Sequence, residues 1–348
     1  MDLFLSIFPI VLLIYLMVKR NAFPSYVALP LIAGIVYLLQ LFYFKNEFIL
    51  LNANVVSAII SVFTPISVIF GAVFFNRMME SSGAMNTLRS WLGNISENPV
   101  AQLMIIGWAF AFMLEGASGF GTPVAIAAPI LVGIGFRPMQ VVMLALVMNS
   151  VPVSFGAVGT PTWYGFKTLL DSGTIGGEDV SSIGKYSALI HFVAAFVIPI
   201  LALRFIVSWK EIKQNILFIL LSVLSCTVPY LLIAQFNYEF PSLVGGAIGL
   251  FVSVLLAGKG IGLAKTEQKK EKQPIAAKTL IKAFTPTLLL IIILVLTRVQ
   301  QLPFKAMLND SSEWLEFSLG ELGIFKVSKG LIFSVENIFK TGVGDSYK

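Results

Sequence analysis

LEGASGFGTPVAIAAP, Leu114–Pro129, decides how this chain is read. Apolar sequence flanks it, as a helix crossing lipid requires. Its middle holds an acid, Glu115, then Gly116, Gly119 and Gly121, then Pro123. Glycine and proline break helices. The full broken stretch runs Glu115–Gly135, EGASGFGTPVAIAAPILVGIG. A second stretch repeats its pattern: Ser154–Leu170, SFGAVGTPTWYGFKTLL, in which Gly159-Thr160-Pro161 echoes Gly121-Thr122-Pro123. Both are apolar enough for a membrane, and both read as discontinuous or re-entrant helices.

The composition outside these stretches agrees. Of 348 residues, 57% are hydrophobic and 12% charged. A soluble domain carries about 25% charged residues, so lipid is the natural solvent for the apolar surface left over. One cysteine, Cys226, excludes an internal disulfide framework, and one histidine, His191, excludes a Cys/His zinc cluster. The net charge of +6 lies in loops between apolar runs, where it sets topology rather than binding nucleic acid. The first run follows Asp2 with its basic residues, Lys19 and Arg20, after it, the reverse of a cleavable signal.

A spanning helix needs about 20 mostly apolar residues. Runs of roughly that size fall at Leu3–Val18, Tyr26–Phe44, Val55–Phe75, Val100–Leu114, Met139–Val153, Tyr186–Val207, Ile216–Ala234, Leu243–Leu256 and Ala283–Leu302. The expected fold is all-α: a polytopic membrane protein with about nine to ten spanning segments, two of its helices being broken by Gly and Pro. Residues 1–302 form the transmembrane region, and 303–348 a polar, mostly extracytoplasmic segment. If the first broken stretch crosses the membrane and the second dips in and returns, the basic residues segregate. Lys19, Arg20, Arg77, Arg89, Arg137, Lys210 and Lys213 fall inside with the Lys259–Lys282 loop, which holds Lys265, Lys269, Lys270, Lys272 and Lys278 against Glu267 and Glu271. Asp171, Glu178, Asp179 and Glu239 fall outside. This is the positive-inside pattern, with the N-terminus outside.

The broken stretches carry the candidate chemistry. An acid within a spanning helix is costly, and desolvation favours its neutral form, so Glu115 reads as a proton-coupling group. Its plainer reading is an acid at the water interface that ends a helix. A helix starting near Thr122 aims free backbone N–H groups, with the positive end of its dipole, into a cavity; such starts bind anions and serve substrate carboxylates in transporters. Gly119 and Gly121 let a ligand approach that backbone, and Ser118 and Thr122 add hydroxyls. The alternative use of these glycines is close helix packing. Asn149, Ser154 and Thr160 bring polar groups to the second break. Arg137 reads as a cytoplasmic anchor, His191 as a packed hydrogen-bonding group, and Arg298 as snorkelling to the outer surface.

LEGASGFGTPVAIAAPILVGIGF, then PMQVVMLALVMNSVPVSFGAVGTP and the later LPFKAML, resemble the L-lactate permease family over most of the chain. The resemblance implies a proton-coupled symporter of L-lactate, and often glycolate, in the bacterial cytoplasmic (inner) membrane, and no cofactor. It places Glu115, Gly119–Pro123 and Asn149–Pro161 in the family's central segment. Family members are longer and carry further spans after the polar region. The match is therefore to their N-terminal part; a C-terminally truncated gene product, one piece of a split gene and a fragment are all open, with a missing C-terminal half as a partner or the chain inactive without it.

The resulting expectation is a secondary carrier. Glu115 holds the proton, the amides around Gly119, Gly121 and Thr122 take the carboxylate, and Ser118, Asn149, Ser154 and Thr160 contact the 2-hydroxyl or orient the site. Its partners are the carboxylate, protons and membrane lipids. No GxxxxGK[ST] loop supplies ATP energy, and no G-x-S-x-G motif supports a hydrolase. The alternatives left open are a passive monocarboxylate channel and an inactive truncated permease.

Overall fold

Long apolar runs bounded by Pro, Gly and charge become helices. The computed structural model describes residues 1–265, 275–298 and 302–347. Lys269, Lys270, Lys272, Glu267 and Glu271 of the basic loop, and the side chains of Asp171 and Arg298, lie outside the described residues. The main helices are α1 (Asp2–Val18), α2 (Ser25–Phe42), α3 (Phe48–Ser81), α4 (Ala84–Asn94), α5 (Pro99–Ser118), α6 (Thr122–Ile134), α7 (Pro138–Asn149), α8 (Gly156–Gly165), α9 (Gly177–Ala194), α10 (Ile216–Ala234), α11 (Pro241–Gly258) and α12 (Ala277–Arg298). Among the described residues, α2, α3, α5, α10 and α11 are long and apolar enough to span a membrane. A sixth span appears if α7 and Val153–Leu170, bent by 68°, count as one. The polytopic helical fold is as expected.

The chain forms two compact units. The first comprises residues 1–67 and 297–348. In it α1 and α2 pack through Leu16, Ala28 and Ile32, and Tyr43 donates to Asp2 Oδ1 at 2.8 Å. The polar C-terminal segment folds into something its composition did not announce. A four-stranded antiparallel meander runs in the order β1 (Glu313–Ser318), β2 (Ile324–Ser328), β3 (Phe333–Ile338) and β4 (Val343–Tyr347). Side chains alternate across a sheet, so Phe317, Phe325, Phe333 and Tyr347 form an aromatic row with centroids 4.9–6.2 Å apart. On the other face Lys326 Nζ sits between Glu313 and Glu336, at 2.8 and 3.1 Å.

The second unit, residues 68–296, is built around α5. This helix is apolar on every side, so it is buried on every side. It is wound as a π-helix over Leu103–Phe110, all eight residues of which are buried. The chain turns back at Ser118, and α6 runs beside α5 to its starting end, where Ile134 Cδ1 lies 3.7 Å from where a Cβ on Gly93 would stand. Arg89 and Arg137 flank that end, and α6, at 13 residues, is shorter than the helices long enough to span. The expected span Tyr186–Val207 is broken: α9 stops at Ala194 and a short helix resumes at Ile198–Leu203. Pro199 has no N–H to offer Ala195, so the helical ladder cannot continue.

Helices α10 and α11 form an antiparallel pair, joined by Ser222 and Ser253 at 2.7 Å within the core. One face of α11 is nearly bare. A methyl on Gly246 would overlap the backbone of Met113 in α5, and one on Gly249 would overlap Cys226 in α10. The helix axes approach closely because these positions have no side chain. Overpacking of this kind costs about 1–3 kcal/mol, so Gly246→Ala should lower the thermal unfolding midpoint in detergent. Gly133→Ala, whose methyl meets nothing within 4 Å, should leave it unchanged.

Candidate functional site

Each Gly-Thr-Pro sequence ends a run of positive-φ backbone and opens a helix. At the first, Gly119 (φ 55°), Phe120 (φ 51°) and Gly121 (φ 80°) run left-handed, then Thr122 and Pro123 open α6. At the second, Ala157 (φ 42°), Val158 (φ 54°) and Gly159 (φ 73°) run left-handed, and the right-handed helix resumes at Thr160-Pro161. Pro suits the first helical turn, where a missing N–H costs nothing. Left-handed backbone costs a non-glycine residue about 1–2 kcal/mol. Phe120, Ala157 and the β-branched Val158 all adopt it, a density of strain that marks functional sites.

The two breaks abut. A Cβ on Gly119 would stand 2.9 Å from Ala157 Cβ and 2.9 Å from its backbone nitrogen. Glu115, one turn before the end of α5, lays its Oε1 over Gly156, where any Cβ would collide with it. The Asn149 side chain, at the end of α7, lies against the same carboxyl. Glu115 is 1% exposed. Neither Glu115 Oε2 nor Asn149 Oδ1 has a hydrogen-bond partner among the described residues.

A helix that stops inside a protein leaves carbonyls without N–H partners. Around the second break hydroxyls supply donors to the carbonyls, Pro152 O also accepting the Phe155 N–H at 3.2 Å. Tyr230 of α10 donates to Val151 O at 3.3 Å, Ser242 of α11 to Pro152 O at 2.6 Å, Thr162 to Ser154 O at 2.7 Å, and Thr160 to Ala157 O at 2.6 Å. Tyr230 is fully buried. It packs edge-on against Phe112 and Phe155, with centroids 5.5 and 5.2 Å away, and its hydroxyl lies 2.8 Å from His191 Nδ1. Two further helices therefore hold the irregular backbone in place.

The residues singled out in the sequence fall into two groups. Glu115, Gly119 and Asn149 come together with Gly156 and Ala157. Ser118 and Thr160 instead donate to carbonyls of their own segments, Leu114 O at 3.0 Å and Ala157 O. The Thr122 N–H closes a turn onto Gly119 O at 2.9 Å. Gly121 caps α6, and Ser154 lends its carbonyl to Thr162. Arg137 caps the start of α7. Sequence reasoning missed Tyr230, Ser242 and Thr162. The first two are hydroxyls within apolar runs, 79 and 90 residues from the carbonyls they serve, and no local pattern announces them.

The fold and its two abutting breaks define a polytopic helical membrane protein with discontinuous segments at a buried acid. The chain belongs to the L-lactate permease family, whose sequence model matches residues 2–347. It is 62% identical over 344 residues to the "Putative L-lactate permease" of Haemophilus influenzae, covering 99% of this chain and 64% of that protein. It is 26% identical to the L-lactate permease of Escherichia coli K12, over 88% of this chain and 57% of that one. It is 27% identical to the glycolate permease of the same strain, over 69% and 45%. The chain thus spans less than two thirds of the length of these curated relatives. No solved structure matches it.

Removing a hydroxyl from the caps tests their structural weight. Tyr230→Phe leaves Val151 O without that donor, whereas after Ser242→Ala Pro152 O still accepts from the Phe155 N–H at 3.2 Å. An unsatisfied buried acceptor costs about 1–3 kcal/mol, so Tyr230→Phe should unfold at a lower temperature in detergent, and Ser242→Ala should shift the midpoint less. Unchanged midpoints would show that the carbonyls find other partners.

Proposed function

We propose that this chain carries L-lactate and related 2-hydroxy monocarboxylates with a proton across a bacterial cytoplasmic membrane, as a secondary carrier and not as an enzyme. The observation that carries the reading is the Glu115 carboxyl, 1% exposed and pressed between two broken helices. An ionised carboxylate here would be a charge held out of water with one oxygen unpartnered, which is costly. A proton removes that charge. Transporters place substrate and coupling-ion sites where discontinuous helices meet, and membership of a permease family supports the same role. The names of the relatives support lactate and glycolate as substrates.

In this reading Glu115 binds the coupling proton. The backbone around Gly119 and Gly121, at the positive end of α6, takes the substrate carboxylate, the Thr122 N–H being held by Gly119 O. Asn149 lies beside the same carboxyl and orients the substrate, while Ser118, Ser154 and Thr160 shape the two breaks around it. Lactate and proton travel together as a neutral pair, so an inward pH gradient drives accumulation. Lipid surrounds the apolar outer faces, where Phe70 and Phe74 of α3 are exposed.

The test is uptake of labelled L-lactate by proteoliposomes containing the 348-residue chain. An imposed gradient, acid outside, should drive accumulation. Glu115→Gln should abolish that accumulation while retaining lactate–lactate exchange. Equal gradient-driven accumulation by the variant removes Glu115 from the mechanism, and uptake by the unaltered chain without any dependence on the gradient points to a channel.

A further inference from the structure

Two neighbouring side chains each bury an oxygen with nothing to accept. Glu115 Oε2 and Asn149 Oδ1 are both buried and lack partners among the described residues, and the two side chains lie against one another. Glu115 Oε1, meanwhile, is fixed over Gly156. Buried polar atoms in folded proteins are almost always paired. Two neighbouring orphan oxygens at a broken-helix junction therefore call for two partners: a proton on the acid and a ligand donor for the amide oxygen.

One proton changes the pair's character. With a hydrogen on Glu115 Oε2 the acid becomes a donor, while Asn149 Oδ1 remains an acceptor. A 2-hydroxy monocarboxylate presents the complement: a carboxylate that accepts, and one carbon away a hydroxyl that donates. We infer that Glu115 and Asn149 form a two-point reader of 2-hydroxy acids, in which the protonated Glu115 donates to the substrate carboxylate and Asn149 Oδ1 accepts from the 2-hydroxyl. This rests on the carrier reading above and adds the residue that sets specificity. No bond is made or broken in the substrate.

The arrangement has two consequences. Without its proton Glu115 presents a negative carboxylate to an anionic substrate, so the proton binds first. A 2-oxo acid such as pyruvate puts an acceptor against Asn149 Oδ1, and propionate puts nothing there; both leave the amide oxygen unpaired. Sites that hydrogen-bond a substrate hydroxyl discriminate strongly against analogues lacking it.

The test is competition against labelled L-lactate in counterflow, with lactate, glycolate, propionate and pyruvate as competitors. In the unaltered chain, lactate and glycolate should compete at least about tenfold better than propionate or pyruvate. Asn149→Leu, similar in size but without the acceptor, should bring propionate to within about threefold of lactate, whereas Asn149→Ser, which keeps an acceptor oxygen, should preserve part of the preference. Glu115→Gln carries a permanent donor in place of the acid O–H and should retain the preference at every pH. If the unaltered chain takes up lactate but does not distinguish propionate, the inference fails whether or not Asn149→Leu folds. It also fails if Asn149→Leu folds and keeps the full preference. If the unaltered chain shows no saturable lactate counterflow at all, the carrier reading itself has failed.

Discussion

Backbone that leaves the helix away from water must find partners for its own N–H and C=O groups, and the rest of this structure depends on how the second break does so. The lipid core offers no hydrogen bonds, so irregular backbone persists there only where protein or a polar cavity satisfies it. Val151, Pro152, Ser154 and Ala157 each lend a carbonyl to a hydroxyl, from Tyr230, Ser242, Thr162 and Thr160. Two of those donors come from α10 and α11. The tight seating of α11 on α5 and α10, through Gly246 and Gly249, is thus tied to the break it supports.

With the break held open, a carboxyl can reach it. Glu115 occupies the place that a side chain at position 156 would otherwise fill. The left-handed turns at Gly119–Gly121 and Ala157–Gly159 bring two helix starts and one acid into a single small volume. Strain in Ala157 and Val158, both buried, is sustained because surrounding packing over-determines the geometry. A smooth helix at either stretch would bury its backbone without assistance, but it would leave no unwound peptide to meet a substrate and no bare Gly156 for the acid to lie against.

Much of this was legible in the sequence because the relevant signals are local. Gly-Thr-Pro reports a left-handed residue followed by a helix start, and it does so twice. An acid beside it in an apolar run reports a buried site. The hydroxyl caps were not legible, since Tyr230 and Ser242 act on carbonyls far away in the chain and look like ordinary polar residues in apolar helices. Nor was the meander of residues 313–347. Its aromatic row, Phe317, Phe325, Phe333 and Tyr347, is interleaved with acids and lysines, so its average composition reads as polar even though its alternation is that of strands. The break between Ala194 and Ile198 was hidden inside an apolar run, where hydropathy outweighs one proline.

The most direct measurement is of the fit between Glu115 and Gly156. Gly156→Ala places a methyl where the Glu115 carboxyl lies, and Glu115→Asp withdraws that carboxyl by one methylene. Gradient-driven L-lactate uptake should fall sharply in Gly156→Ala and recover in part when the two changes are combined. Gly156→Ala transporting as well as the unaltered chain would contradict this, because the acid would then not work against the second break.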